Sequence, residues 1–209
     1  MLFEEGVCMG KFIVVEGGDG AGKTTFVNTL REKQPLFVYS REPGGQGFSQ
    51  RIRELVLSDE AKDADHLAMF CLFWASRAQN ISSIVIPALK AGKIVVSDRF
   101  DASTYAFQIG KNPRLEDLFW QTRAVCLQGV EPVYLDFRVS VDEAERRMND
   151  RGEKNHFDLR SSDERRQTRS FYDRFFSKDE VKSIRVDANL PMDQMISRAM
   201  GALESALGM

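Results

Sequence analysis

Apolar positions along the chain follow two rhythms. Short β-rich runs at 11–16 (KFIVVE), 36–40 (LFVYS), 93–97 (KIVVS), 132–137 (PVYLDF) and 182–187 (KSIRVD) predict five strands. Between them the period lengthens to that of a helix. Leu67, Phe70, Cys71 and Trp74 recur at i, i+3, i+4, i+7, and Ile81, Ile84, Val85 and Ala88 continue the pattern, predicting the longest helical stretch, which ends at Gly92. Ser140 with Glu143, and Ser161 with Glu164, have the Ser-x-x-Glu spacing of a capping box and predict two helix starts. Beyond Pro191, the residues Met192, Met195, Ile196, Ala199, Met200, Leu203 and Leu207 outline a last amphipathic helix.

Strands separated by helices need crossover connections, which are right-handed and build a parallel sheet covered on both faces. The fold class is therefore α/β. At 209 residues, without a Pro/Ser linker, a low-complexity tract or a repeat of fixed period, the chain is expected to form a single domain.

Composition narrows the class without naming a function. With 43% hydrophobic and 29% charged residues the chain matches a globular protein and not a disordered, collagen-like or disulfide-stapled one. No apolar run approaches the ~20 residues of a membrane span, and the segment before Met9 has no basic or apolar leader region, so a cytoplasmic protein without a membrane partner is expected. A net charge of −2 argues against a nucleic-acid partner but not against a locally basic cleft. Cys8, Cys71 and Cys126 are odd in number, form no CxxC pair and are expected to be buried thiols. His66 and His156 are too few for a His-based metal site or a Ser/His triad.

The chemistry is concentrated after the first strand. Gly17-Gly18-Asp19-Gly20-Ala21-Gly22-Lys23-Thr24 satisfies G-x-x-x-x-G-K-[ST] between a strand and a helical pattern, and Thr25 follows it. Glycines let backbone N–H groups wrap phosphates, and the helix that follows adds the positive end of its dipole. Lys23 is the candidate for the β and γ phosphates of ATP, and the Thr24 hydroxyl for Mg²⁺. Such a loop specifies a nucleotide and leaves the reaction open. A guanine-reading N-K-x-D motif is absent, whereas Arg41-Glu42-Pro43-Gly44-Gly45 and Asp98-Arg99-Phe100 lie just past the second and third strands, where ligands of parallel sheets collect. Arginine is the fork-shaped donor for a second, phosphorylated substrate, and Asp98 is the natural carboxylate for the metal. A switch ATPase that uses water as nucleophile is the competing reading. Residues 146–169 carry eight basic residues against five acidic ones, and fit either a solvated helix face or a basic flap over an anion.

The combination of EGGDGAGKTT, REPGG, LFWASR and DRFDASTYAFQ, in that order, resembles thymidylate kinase, a P-loop nucleoside monophosphate kinase family. The resemblance runs from about residue 11 to the C-terminus, leaving residues 1–8 outside the fold and 9–209 as one kinase domain. It implies a five-stranded parallel core of the P-loop NTPase type with an Arg-rich lid at about 147–166, a homodimer, and phosphorylation of dTMP to dTDP by ATP and Mg²⁺; a broader deoxynucleotide kinase is the nearest alternative. Carried over by position, Asp19 lies near the acceptor's sugar, Arg41 and Arg99 engage its phosphate, Phe73 stacks on thymine and Arg77 reaches the base edge. Ser103, Thr104, Phe107 and Gln108 line the thymine and deoxyribose pocket, with Phe107 crowding the place of a ribose 2′-hydroxyl. Phe73, Arg77 and Asn80 are spaced to share one helix face. Gly20 stands where one subclass has a P-loop arginine, so the transition-state arginine is expected from the lid: Arg151 first, with Arg147 and Arg160 in reserve. The family's second lid motif is altered here, with His156 in place of its arginine.

Overall fold

In a computed structural model, residues 10–149 and 161–209 are described. Five strands form one parallel sheet: β1 (Phe12–Gly17), β2 (Val38–Arg41), β3 (Val95–Asp98), β4 (Pro132–Arg138) and β5 (Lys182–Asp187), in the order β2-β3-β1-β4-β5. Each predicted strand is present. The second and third run one residue further than the hydrophobic pattern indicates, so Arg41 and Asp98 close their strands and do not follow them. Register then aligns Arg41, Asp98 and Val15 across the sheet.

Period-two alternation sends β1 side chains to opposite faces. Phe12 and Val14 join Val95 and Tyr134 under α3 (His66–Asn80), α4 (Ile86–Lys90), α6 (Glu116–Leu127) and α8 (Ser162–Phe176). Ile13 and Val15 join Val96, Leu135 and Val186 under α1 (Lys23–Lys33) and α9 (Met192–Leu207). With both faces covered, β1 is buried along its whole length, and its C-terminal end is held in one place relative to the flanking helices. A satellite cluster of Ile52, Val56 and Met69 packs α2 (Phe48–Leu57) on α3.

The long helical stretch is α3, a π-helical turn at Ile81–Val85, and α4; it ends as predicted, with Gly92 left-handed at φ 71°. Its start is capped by Asp65, which accepts from the N–H groups of Leu67 and Ala68. The Ser161/Glu164 box is complete at the start of α8. At α7 (Val141–Asn149) only half of the expected box forms. Ser140 Oγ accepts from the Glu143 N–H at 3.3 Å, but the Glu143 carboxylate is taken by Arg146 and Arg147, and the Ser140 N–H donates to Asn189 Oδ1 instead.

Helices α2 and α6 have no counterpart in the sequence reading. Their N-cap residues, Gly47 and Leu115, make no side-chain cap bond, so neither start carries the usual polar signal. The expectation of buried thiols is also corrected: Cys71 is exposed on the outer side of α3 and Cys126 is only partly buried, because the apolar rhythm of each helix is wider than the stripe it buries. Cys8 and the rest of 1–8 lie outside the described residues. Among the described residues no helix is long and apolar enough to cross a membrane.

Candidate active site

The loop between β1 and α1 wraps close to its neighbours. A Cβ at Gly17 (φ 142°) would stand 2.3 Å from the Phe137 carbonyl oxygen, and one at Gly20 (φ 76°) would stand 2.7 Å from that of Ala144, so only glycine allows both the backbone angles and the approach. Helix α1 starts at Lys23, after a left-handed Gly22 that offers no side-chain cap, and its first turn holds no acidic residue. Its leading N–H groups and dipole are thus available to an anion. Lys23 is buried, and its Nζ donates to the carbonyls of Gly17 at 2.8 Å and Gly18 at 2.6 Å. Burial, seconded by the Arg99 charge, pulls its pKa down to about 8. Thr24 is exposed and Thr25 partly buried on the next positions of the helix.

Thr24 Oγ1 donates to Asp98 Oδ2 at 3.3 Å. Asp98 is 5% exposed, its other oxygen has no hydrogen-bond partner among the described residues, and Arg41 Nε lies 3.9 Å from Oδ2. Arg99, the next residue, has φ 71°, a left-handed conformation uncommon for a side chain of this size. That turn sends its guanidinium back over the loop: Nη2 meets Asp19 Oδ1 at 2.5 Å, and Nη1 donates to Ser103 Oγ at 3.2 Å and to the Gly17 carbonyl at 3.4 Å.

Every acceptor-side residue singled out from the sequence lines one cavity of about 140 Å³: Asp19, Arg41, Phe73, Arg77 and Arg99 with Ser103, Thr104, Phe107 and Gln108. The last four come from α5 (Asp101–Thr104) and the π-helical turn Tyr105–Ile109 that continues it. Arg77 is 2% exposed. Its Nε donates to Glu42 at 2.8 Å and its Nη2 to Thr104 Oγ1 at 3.1 Å, while its central carbon lies 4.5 Å from the Trp74 ring centroid and 5.0 Å from that of Phe100. Nη1 finds no partner among the described residues, and neither does Oε1 of the buried Gln108. Asn80 faces away from the cavity and instead donates to Ser40 Oγ and Glu42 Oε1, so the expected trio splits: Phe73 and Arg77 line the cavity and Asn80 braces Glu42.

Two further candidates were not singled out from the sequence: Glu42, although it lies within REPGG, and Arg53, which lies in no motif. Glu42 is 2% exposed, and burial raises its pKa to about 7 despite Arg77 and Asn80. Arg53 lines the cavity from α2 and donates to the Pro43 carbonyl at 2.7 Å. Its pKa is lowered by burial and by the like charges of Arg41 and Arg99, so three guanidinium groups bear on one another at this wall. Arg53 and Val56, three residues apart, share a helix face, and both line the cavity.

Of the lid candidates only Arg147 falls within the described residues. It donates to Glu143, to the Leu190 carbonyl at 3.1 Å and to the Gly20 carbonyl at 3.5 Å, bridging α7 to the phosphate loop. Arg151, His156 and Arg160 lie outside the described residues.

A phosphate loop at the end of a central parallel strand, opening beside a second basic pocket, defines a P-loop phosphotransferase that brings a nucleotide to a phosphorylated acceptor. The family model described as thymidylate kinase matches residues 15–198. A thymidylate kinase of Mycoplasma capricolum subsp. capricolum is 34% identical over 196 residues, spanning 90% of this chain and 92% of that protein. One of Clostridium novyi is 32% identical over 202 residues, spanning 93% and 98%. The chain belongs to the thymidylate kinase family.

Proposed function

We propose that the protein transfers the γ-phosphoryl group of ATP to the 5′-phosphate of dTMP, releasing ADP and dTDP. The observation that carries this reading is the position of Arg99: one guanidinium reaches the Gly17 carbonyl of the phosphate loop and lines the acceptor cavity. It stands between the places of the two substrates. Gly17 through Gly22 supply the loop for the ATP phosphates, Lys23 moves from the loop carbonyls to the β and γ phosphates, and Thr24 and Thr25 sit at the head of α1 behind them.

The donor set fits Mg²⁺. One hydroxyl, one carboxylate with an unpartnered buried oxygen and no cluster of three ligating side chains among the described residues suit an ion that keeps its waters and takes phosphate oxygens. Thr24 and Asp98 would hold it. When bound, it neutralises phosphate charge.

The acceptor oxygen belongs to a phosphate whose second pKa is ~6, so no side chain has to remove a proton. The chain's task is positioning and charge compensation. Arg41, Arg53 and Arg99 orient the acceptor phosphate, Asp19 faces the sugar, Phe107 crowds a 2′-hydroxyl, and Phe73 stacks on the base. Arg77 Nη1 can only donate, so it suits the O4 acceptor of thymine and opposes the amino group of cytosine at the same edge; Thr104 fixes that fork, and Gln108 offers an amide to the neighbouring ring atom. Arg151 is the foremost candidate for the transition-state charge, with Arg147 and Arg160 behind it.

The working unit we propose is one kinase domain over 9–209, with residues 1–8 outside it and a lid at about 147–166, assembled as a homodimer in the cytoplasm. Light scattering on the purified protein tests the dimer. The reaction is tested with a panel of nucleoside monophosphates. Turnover highest with dTMP is expected; equal or faster turnover of dCMP, dGMP or UMP would leave a broader nucleotide kinase, and ATP hydrolysis without any acceptor would favour a switch protein.

A further inference from the structure

Just ahead of the phosphate loop, the last charged residue of β1 is a carboxylate with no exposure at all. Glu16 is 0% exposed, yet its oxygens meet three separate elements. Oε1 accepts from the backbone N–H groups of Phe100 at 2.7 Å and Ser103 at 2.9 Å. Oε2 accepts from Ser103 Oγ at 2.9 Å, from the Gly17 N–H at 3.3 Å and from the Tyr172 hydroxyl of α8 at 3.4 Å. Helix α5 has Phe100 at its N-cap and so no capping side chain of its own; the acceptor its first turn lacks is delivered from a neighbouring strand.

Ser103 transmits this anchorage. Its hydroxyl proton goes to Glu16, and its lone pairs face Arg99 Nη1 at 3.2 Å and the Tyr172 hydroxyl at 3.0 Å. A serine oxygen offers one proton and two lone pairs, so these contacts use its full capacity. Arg99 meanwhile occupies a left-handed conformation that persists only where its surroundings over-determine it. Glu16 holds the N–H immediately after Arg99 and, through Ser103, the tip of its side chain.

We infer that Glu16 is a positioning residue for phosphoryl transfer: with Ser103 and Tyr172 it fixes both ends of Arg99 and the start of the helix that lines the acceptor cavity. The inference rests on the reading of the protein as a dTMP kinase. Replacement by Gln is the informative change, because an amide oxygen still accepts from the two backbone N–H groups while the amide nitrogen cannot accept from Ser103 and Tyr172.

In steady-state assays with ATP and dTMP, Glu16→Gln lowers kcat by about tenfold or more, with KM for ATP within about twofold of wild type. Because the effect passes through Arg99, adding Glu16→Gln to Arg99→Lys lowers kcat by less than about threefold further. Fully multiplicative losses, or a parallel rise in the KM for ATP, overturn the assignment. If Glu16→Gln does not fold, Tyr172→Phe replaces it, since that change keeps the ring against Phe107 and Phe176. It lowers kcat by about threefold or more and adds nothing to Arg99→Lys; an unchanged kcat overturns the assignment. An activity-free readout separates this inference from the choice of substrate. The Arg99 Nε–H resonance, identified by its loss in Arg99→Lys, shifts in Glu16→Gln or Tyr172→Phe, and a stationary signal refutes the positioning role even in a protein that turns over dTMP. Wild type that makes no dTDP refutes the substrate and leaves the resonance test standing.

Discussion

Arg77 and Glu42 face each other at 2.8 Å with both side chains 2% exposed, and the carboxylate that steadies this arginine is itself pushed up to a pKa of about 7. Burial is the larger influence, and the attraction of Arg77 opposes it. The folded protein therefore holds a proton on Glu42 between its ordinary 4.5 and about 7 that the unfolded chain has released. In this window more protons are bound in the folded state, so this group's contribution to stability falls as pH rises. Denaturant melts across pH 4.5 to 7 should show this slope in wild type and a flatter one in Glu42→Gln. Identical slopes would mean that Glu42 is ionised throughout.

Removing the other partner is harsher. Arg77→Ala takes away the bonds to Glu42 and Thr104 and leaves Glu42 protonated by burial, a loss of about 1–3 kcal/mol. Its KM for dTMP should rise by about tenfold or more if Arg77 reads the base as proposed. Calorimetric titration with dTMP and a chemical melt measure the two effects separately. Unchanged dTMP affinity in a folded Arg77→Ala would remove the residue from recognition.

Lys23 is expected to trade stability for function. Its pKa is depressed from 10.5 to about 8, so between these values the unfolded chain carries a proton the folded one has lost, and stability rises with pH across that interval. Lys23→Met should lower kcat by a factor on the order of 10² or more while leaving the melting temperature equal or higher, since a desolvated ammonium is replaced by an apolar chain of similar length. A marked drop in melting temperature would show that its bonds to Gly17 and Gly18 hold the fold.

The metal assignment is open to direct test. Chelation of divalent ions should abolish turnover, and added Mg²⁺ should restore it. Asp98→Asn keeps the shape and removes the charge; it should raise the Mg²⁺ concentration needed for half-maximal rate by about tenfold. An unchanged Mg²⁺ requirement would leave Asp98 as a partner of Thr24 and Arg41 only.

Arg53 provides the clearest test of the acceptor phosphate site. Arg53→Ala relieves the crowding with Arg41 and Arg99, so apo stability should change by no more than about 1 kcal/mol, while KM for dTMP rises by about tenfold and KM for ATP stays put. A rise confined to ATP would place the residue on the donor side.

Much of this was written in local sequence. The phosphate loop is legible because its glycines, Lys23 and Thr24 are contiguous, whereas Ser103, Thr104, Phe107 and Gln108 were reached only through the resemblance carried by DRFDASTYAFQ. What stayed hidden depends on partners far apart in the chain. Glu42 meets Arg77 across 35 residues and Glu16 meets Ser103 across 87, and no spacing rule connects them. Arg53 was missed for a different reason: it rides on α2, whose glycine N-cap gives no start signal. The exposure of Cys71 marks the same limit, since periodicity identifies a helix more surely than it tells how wide a stripe of that helix is buried.

The sheet order has a practical corollary. The acceptor-side strands β2 and β3 lie on one flank of β1, and β4 and β5 on the other, with the phosphate loop on the seam. Most residues proposed to meet the acceptor fall between Arg41 and Gln108, one continuous block of chain beside the phosphate loop. Exchanging that block between relatives, with its Glu42–Arg77 brace kept intact, asks directly whether it carries the acceptor preference.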